Sequence, residues 1–460
     1  MRYHPINALS LWLYCAIACL FWGCSNSEWT DLTNKEEPIA EWEYPIIIEQ
    51  DSQEVKESKN KENSGTSSNQ NISYSQAVNQ SSSSSKITAY LPINDTEYPY
   101  AGIPRIVIET KNRQEIKDRE TEIPAKLQIW GETAPESEIM DLTIRGRGNT
   151  TWRFPKKPYA IKFEKKQSFL GMPSAKKWVM LANYKDRTLI RNALTFEIAR
   201  QTNQKWVPQG QFVDVFLNRI FIGNYYICEK IEVKKNRLDL DDNDFLLELD
   251  EAYDGLYKFK TTHKNIPINI KHPKELNDSQ YNYIYNYIDT VECILYGNCK
   301  QQRIQDYVNL YSTASFWIVQ ELAQNIEASH PKSMYVYKDS VLNYGPLWDF
   351  DWGTYTSKKT GLIIKDYLWL DKFREMDFFK EIIKQEWSQS KELFRKQTTF
   401  IDSLVSYIGK SEKKNNELWP ITIKEGLVGD ENKDYSTAIQ MMKDVYLNRL
   451  DELDSLFNSL

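Results

Sequence analysis

Apolar residues recur at every second position through residues 103–110, 125–130, 142–145 and 159–163 of this chain. That period belongs to half-buried strands. Residues 212–217 and 221–228 repeat it on either side of Asn218-Arg219-Ile220, which reads as a hairpin. Residues 187–201 change period and set Leu189, Ile190, Leu194, Ile198 and Ala199 on one helical stripe. From Leu276 onward the pattern is mainly helical, with helices expected over 281–288, 310–324 and from Phe373 to the end. A strand pair at 334–337 and 344–348 interrupts it. A strand-rich first half and a helix-rich second half specify an α+β fold, two lobes of one unit.

The first ninety residues stand outside that pattern. Arg2 precedes an apolar run, residues 8–23, which stops at Cys24 and gives way to polar Ser25, Asn26 and Ser27. A run of sixteen residues, apolar but for Ser10, is short for a membrane span and suits a signal peptide. The stop at Gly23-Cys24 resembles a bacterial lipoprotein signal, with Cys24 as the acylated N-terminus. Phe21 and Trp22 are bulky for that pattern; Cys19 is the alternative, and an uncleaved N-terminal anchor the other reading. Residues 24–50 form a short N-terminal segment whose 39–48 stretch reads as strand or docking segment. Residues 51–88 form a serine-rich tract, with twelve serines between 51 and 86 and almost nothing apolar. Such a tract cannot offset the entropy of ordering and is expected to be a disordered linker. The globular domain is expected over 91–460, its N-lobe over 91–232 and its C-lobe over 233–460.

With 58 basic and 64 acidic residues, net charge −6, the chain has no basic field for nucleic acid. Six cysteines are too few for a disulfide scaffold. Cys228 reads as a core thiol, whereas Cys293 and Cys299 are spaced for a small disulfide loop. His263, His272 and His330 lack zinc-like spacing with another ligand, and no GxSxG elbow is present.

Chemistry concentrates in three places. RGRGNTTW at 145–152 leads into PKKPYAIK at 155–162; its glycines let backbone amides approach an anion, with Arg and Lys as countercharge. Alone it is a weak signal, for a glycine-containing basic hairpin is more often just a turn. WDFDWG at 348–353 sets Asp349 and Asp351 between aromatics. Two buried, unpaired carboxylates are costly, and a hard divalent cation relieves the cost; a solvated turn is the other reading. ELAQNIE at 321–327 closes a helix with Asn325 and Glu327, residues that also serve as plain helix caps.

Together these blocks resemble the spore-coat protein H (CotH) kinase family of secreted, atypical protein kinases. Also carrying the resemblance are WVMLANYKD at 178–186, LIRN at 189–192, Leu217-Asn218, GNYYICE at 223–229, YVYKD at 335–339 and PLWDFD at 346–351. It extends over residues 100 to 360, with the helical tail in the same unit. The leader and linker are similar to those of Bacteroidetes-type lipoprotein members.

The resemblance implies an atypical protein-kinase-like, two-lobed fold: a strand-rich N-lobe and a helical C-lobe with a helical tail. It implies ATP and Mg²⁺ (or Mn²⁺) as cofactors and transfer of the γ-phosphoryl to Ser or Thr of a protein. Lys162, at the end of the YAIK run, takes the place of the strand lysine that grips phosphates, with Lys157 as rival. Arg147, Gly148 and Asn149 lie over the phosphates, and Glu229 belongs to the nucleotide site. Asp349 holds metal and takes part in catalysis, supported by Asp351 and Asn325. Where the family shows Asn-x-Asp this chain has Asn325-Ile326-Glu327, placing Glu327 as catalytic base with an extra methylene. A shift of about 1 Å at a reacting centre costs about a hundredfold in rate, so a pseudokinase is the alternative. A surface binding or assembly lipoprotein for glycan or protein is another, and a ligand-free structural lipoprotein a third. The implied location is the bacterial cell envelope, lipid-anchored and extracytoplasmic, at the outer membrane or surface. The expected partners are that membrane and a protein substrate with exposed Ser or Thr. The oligomeric state is left open.

Overall fold

The alternating segments close into a barrel in this computed structural model, which describes residues 89–299, 301–329, 332–356, 359–364, 368–420, 429–430 and 432–460. The leader, Cys24, the 24–50 segment and the serine tract lie outside the described residues. Seven strands form the barrel: β1 (Arg105–Thr110), β2 (Ile123–Trp130), β3 (Met140–Gly146), β4 (Tyr159–Phe169), β5 (Met172–Leu181), β6 (Gly210–Leu217) and β7 (Ile220–Glu229). Their order is β1-β2-β3-β4-β5-β7-β6, and β6 returns to pair with β1 in parallel, from Arg105 opposite Asp214 to Ile108 opposite Leu217. The other seams are antiparallel.

Side-chain parity explains the closure. Ile106, Ile108, Ile144, Ile161, Trp178, Val213 and Ile227 fill the interior, while Val179, Leu181, Tyr226 and Cys228 point outward into the main core. Strands β5 and β7 are thus buried on both faces, and there the barrel meets the rest of the protein. Cys228 is the buried free thiol that was expected. The hairpin turn is Asn218-Arg219, both with positive φ (51° and 71°), the twist that suits a two-residue β-turn. The Asn218 side-chain oxygen accepts the Thr110 amide at 2.8 Å, latching the turn to β1.

A closed seven-stranded barrel is not the N-lobe sheet of an ordinary protein kinase, and this corrects the plain kinase-like expectation for that half. The mixed α+β assignment stands, with strands first and helices later.

Helix α1 (Arg191–Arg200) lies between β5 and β6. After the barrel comes a second sheet in the order β12-β11-β8-β10-β9. It is built from β8 (Phe245–Leu249), β9 (Lys258–Lys260), β10 (Pro267–His272), β11 (Met334–Lys338) and β12 (Leu342–Tyr344). The sequence reading missed β5 and β8 to β10, and ran the last strand too far, to residue 348. Proline has no ladder donor, and Gly345-Pro346 ends β12 after Tyr344.

The helices are α2 (Asp278–Tyr296), α3 (Leu310–Ala323), α4 (Leu370–Arg374), α5 (Asp377–Arg395), α6 (Gln397–Leu418) and α7 (Tyr435–Asn458). Asn277 and Gln280 close a reciprocal capping box on α2. The Cys293–Cys299 disulfide sits at the end of α2, as the spacing suggested. In α3 every residue except Tyr311 is buried, so this helix is the axis of the second half. Helix α6 reaches the barrel wall: Ser411 receives the Asn224 amide nitrogen at 2.8 Å, and Trp419 beyond its end donates to the Ile222 carbonyl at 3.0 Å.

One buried ion pair fixes the end of α3. Arg449 of α7 donates to the Glu321 carboxylate at 2.6 Å and to the Glu321 carbonyl at 3.1 Å. Glu321 also accepts the amides of Ile363 and Ile364 at 2.9 and 2.8 Å. Removing one partner strands a buried charge. Arg449→Met is therefore expected to lower unfolding free energy by about 3–5 kcal/mol in urea titrations; a loss below about 1 kcal/mol would show that the pair does not anchor the helix.

Candidate functional site

Between the barrel and the second sheet lies a cleft of about 1210 Å³. Ten Lys and Arg line it against six Asp and Glu, an excess of four positive charges. The barrel contributes Arg145, Arg147, Gly148 and Asn149 from β3 and its following turn, and the sheet contributes Leu246, Glu248 and Tyr335. Gly148 has φ +81°, and a Cβ there would lie 2.0 Å from the Thr151 hydroxyl, so only glycine lets the turn pass. Arg119 braces the same turn, donating to the Gly148 carbonyl at 2.8 Å and the Asn149 side-chain oxygen at 2.6 Å.

The acidic groups come from two chain reversals. Helix α3 ends at Gln324, which is left-handed (φ 53°) and turns the chain back. Asn325 then donates to the Gln320 side chain at 2.9 Å and accepts the Glu327 amide at 3.1 Å, setting Glu327 in a short 3₁₀ turn. The second reversal follows β12. Gly345 has φ +116°, and a Cβ there would meet the Gln204 side chain at 2.1 Å. The chain then runs to Asp349, itself left-handed at φ 68°, a conformation Asp tolerates better than most residues. Phe350 is fully buried, and its amide donates to the Asn192 side chain at 2.9 Å. With the phenyl ring seated edge-on against Phe196, the flanking Asp349 and Asp351 are left to meet each other.

Electrostatics bring the three carboxyls together. Burial raises Glu327 to about 8, with Asp349 and Asp351 adding repulsion and Lys332 opposing it. Burial and then the Asp349 charge raise Asp351 to about 7. Asp349 is raised by burial too, eased by the Arg147 guanidinium and by hydrogen bonds with Asp351 and Ser333. Arg147 lies over the Trp348 ring at 5.8 Å. Against Asp349 and Asp351 there is a crevice of about 10 Å³, bordered also by Arg147, Lys156 and Asn183. That is the room of one water or one small ion. Among the described residues no group of three His, Cys, Asp or Glu is arranged as a metal cage.

Arg147, Glu327, Asp349 and Asp351 therefore share one electrostatic cluster, with Gly148 and Asn149 on the cleft wall beside it. Asn325 stands behind Glu327 with both side-chain atoms engaged. Of the sequence candidates only Arg147, Gly148 and Asn149 line the cleft itself. Lys162 is half-exposed on β4 and pairs with Glu122 at 3.1 Å. Lys157 donates to the Trp152 carbonyl at 2.8 Å and lies over that ring. Glu229 is buried beside Arg237, 3.6 Å from its Nε, and accepts the Gln209 amide.

Other residues occupy the wall instead. Lys271 pairs with Glu248 at 2.8 Å, and Glu248 also accepts the Tyr335 hydroxyl at 2.5 Å. A β-bulge in β10 between Ile270 and His272 aims Lys271 there. Lys177, Lys230 and Lys274 line the same cleft. Lys156, next to the chosen Lys157, is buried: it donates to Asn415 of α6 at 2.7 Å and lies 4.6 Å from the Tyr225 ring. Burial holds it down at about 7. The apolar alternation of Ile268 and Ile270 was the available signal for β10; the bulge leaves none.

A family model described as CotH kinase protein matches residues 144–453, which is 310 of the 460 residues. No curated protein matches the chain. The matched span contains every cleft and carboxyl residue described above except Arg119 and Glu122.

The loop geometry hangs on Asn192. Asn192→Ala removes the acceptor of a buried amide, so a loss of about 1–3 kcal/mol is expected in urea unfolding. An unchanged midpoint would mean that the Asp349–Asp351 loop is held by other contacts.

Proposed function

The chain belongs to the CotH kinase family, and from that premise we propose that it is an extracytoplasmic protein kinase transferring the ATP γ-phosphoryl to Ser or Thr of a protein. The observation that carries the reading is the Arg147–Asp349–Asp351–Glu327 cluster, which shares Arg147 with a large cationic cleft. In this reading the barrel is a divergent N-lobe, the second sheet with its helices the C-lobe, and the cleft between them the nucleotide site.

The residues fit the implied cofactors. Two raised carboxylates at a one-ion crevice suit Mg²⁺ or Mn²⁺, which binds one or two carboxylates and takes its other ligands from phosphate and water. A bound divalent cation would neutralise charge on the transferring phosphoryl group. Asp349 and Asp351 would hold it, and Asn325 fixes the backbone of Glu327 behind them. Arg147 places a positive charge beside Asp349, where phosphate oxygens gather charge. Lys271, oriented by Glu248, adds a second positive charge to the cleft. Glu327 is the group available to accept the substrate hydroxyl proton. It does so only when ionised, which the neighbouring Asp charges oppose in the free protein.

That opposition favours a second reading, a pseudokinase that binds nucleotide and transfers nothing. Anchoring through Cys24 at the bacterial envelope belongs to the same proposal. Among the described residues no helix is long and apolar enough to cross a membrane.

Full-length protein with Mg²⁺ and ATP is expected to show a nucleotide-dependent rise in melting temperature that Asp349→Ala abolishes. Glu327→Gln should keep that rise and lose about 10²- to 10⁴-fold in phosphate transfer to itself or casein. Binding without transfer in the native protein selects the pseudokinase; absence of both sinks the nucleotide reading.

A further inference from the structure

Three lysines reach the cleft from three separate elements: Lys177 from β5, Lys230 from the residue after β7, and Lys274 just beyond β10. Arg145 of β3 borders them. Among the described residues none of the three lysines forms an ion pair, although six carboxylates line the same cleft. The two acids whose charges act on them are committed elsewhere. Glu232 pairs with Arg237 at 2.8 Å, and Glu248 pairs with Lys271 at 2.8 Å and accepts the Tyr335 hydroxyl. Burial, and then the charges of Lys177, Arg145 and Lys274, hold the Lys230 ammonium down at about 8, with Glu232 opposing. Burial, Lys271 and Lys177 likewise lower Lys274. Lys177 and Lys274 are exposed and Lys230 is half-buried, so the repelling cations stand open to solvent, where an entering anion would relieve the repulsion.

We infer that Lys177, Lys230 and Lys274 form a phosphate-binding subsite, separate from the Asp349–Asp351 pair and taking the place expected of Lys162. A phosphoryl group brings about two charges and three acceptor oxygens, which matches three converging ammonium groups better than a single carboxylate does. The cleft's aliphatic wall, Ala175, Ile231, Val233 and Leu246, adjoins the lysines and offers an apolar neighbour to whatever carries the phosphate. The inference rests on reading the cleft as a phosphotransfer site. Two sources supply this chemistry: the phosphate chain of the nucleotide, or a phosphoryl group already present on the protein substrate.

Calorimetric titrations of the full chain and of Lys230→Met and Lys177→Met separate them, with melting curves confirming that each variant is folded. Inorganic tripolyphosphate is expected to bind the native chain and to weaken roughly 10- to 100-fold in each variant, the scale of one lost charge-assisted hydrogen bond. If Mg²⁺–ATP weakens equally while adenosine does not, the nucleotide supplies the phosphate. If a phosphoserine peptide weakens and ATP does not, the substrate supplies it. Unchanged affinity for tripolyphosphate, ATP and phosphopeptide in folded variants overturns the subsite. A native chain that binds tripolyphosphate through these lysines yet ignores Mg²⁺–ATP keeps the subsite and removes the kinase reading.

Discussion

Burial of three neighbouring carboxyls, Glu327, Asp349 and Asp351, is the constraint around which the second half of the protein is organised. Three carboxyls share one semi-buried space, and Arg147 is the cation from the opposite wall that acts on both aspartates. Like charges separate unless the backbone forbids it. Here it does: the left-handed cap at Gln324 and the Asn325 clasp fix one group, while Gly345, the left-handed Asp349 and the buried Phe350 fix the others. The Arg449–Glu321 pair and α3, buried at every residue but Tyr311, lie behind that geometry as its rigid support. The backbone thus keeps these carboxyls close together and buried, each raised above its ordinary carboxylate range.

The barrel serves the same end from the other side. Its interior is filled with aliphatic and aromatic side chains, so it encloses no ligand and acts as a stiff wall. Strands β5 and β7 are buried on both faces, and α6 is bonded to β7 through Asn224 and Ile222. Arg147, at the end of β3, is thereby held opposite carboxyls about two hundred residues later in the chain.

How much of this was legible beforehand depended on whether a feature was local. Period-two alternation located most barrel strands, the hairpin at Asn218 included, because each strand writes its parity into its own residues. The burial of Asp349 and Asp351 was legible locally too, since aromatics on both sides of the acids argue against full solvation. Barrel closure was not, because a β1–β6 seam leaves no mark on either strand. The lysines failed for a related reason. Lys156 and Lys157 are identical neighbours sent to opposite environments, one under Asn415 and the other over Trp152. Lys162 has the right parity, for its cross-strand neighbour Lys177 does line the cleft, but it lies beyond the lining. Alternation gives the face of a strand and not its distance from a cleft.

The parallel seam between β1 and β6 also governs the order in which the chain can fold. Arg105 must wait for Asp214, and Thr110 for Asn218, so the barrel cannot close until more than a hundred later residues are available. Until then β1 presents an unpaired edge, an invitation to foreign strands. Pairings of such high sequence separation are slow to form. A chain synthesised from its N-terminus therefore exposes β1 for the whole emergence of β2 to β5. Factors that shield extended, edge-exposed chains would govern its yield more strongly than the stability of the finished barrel.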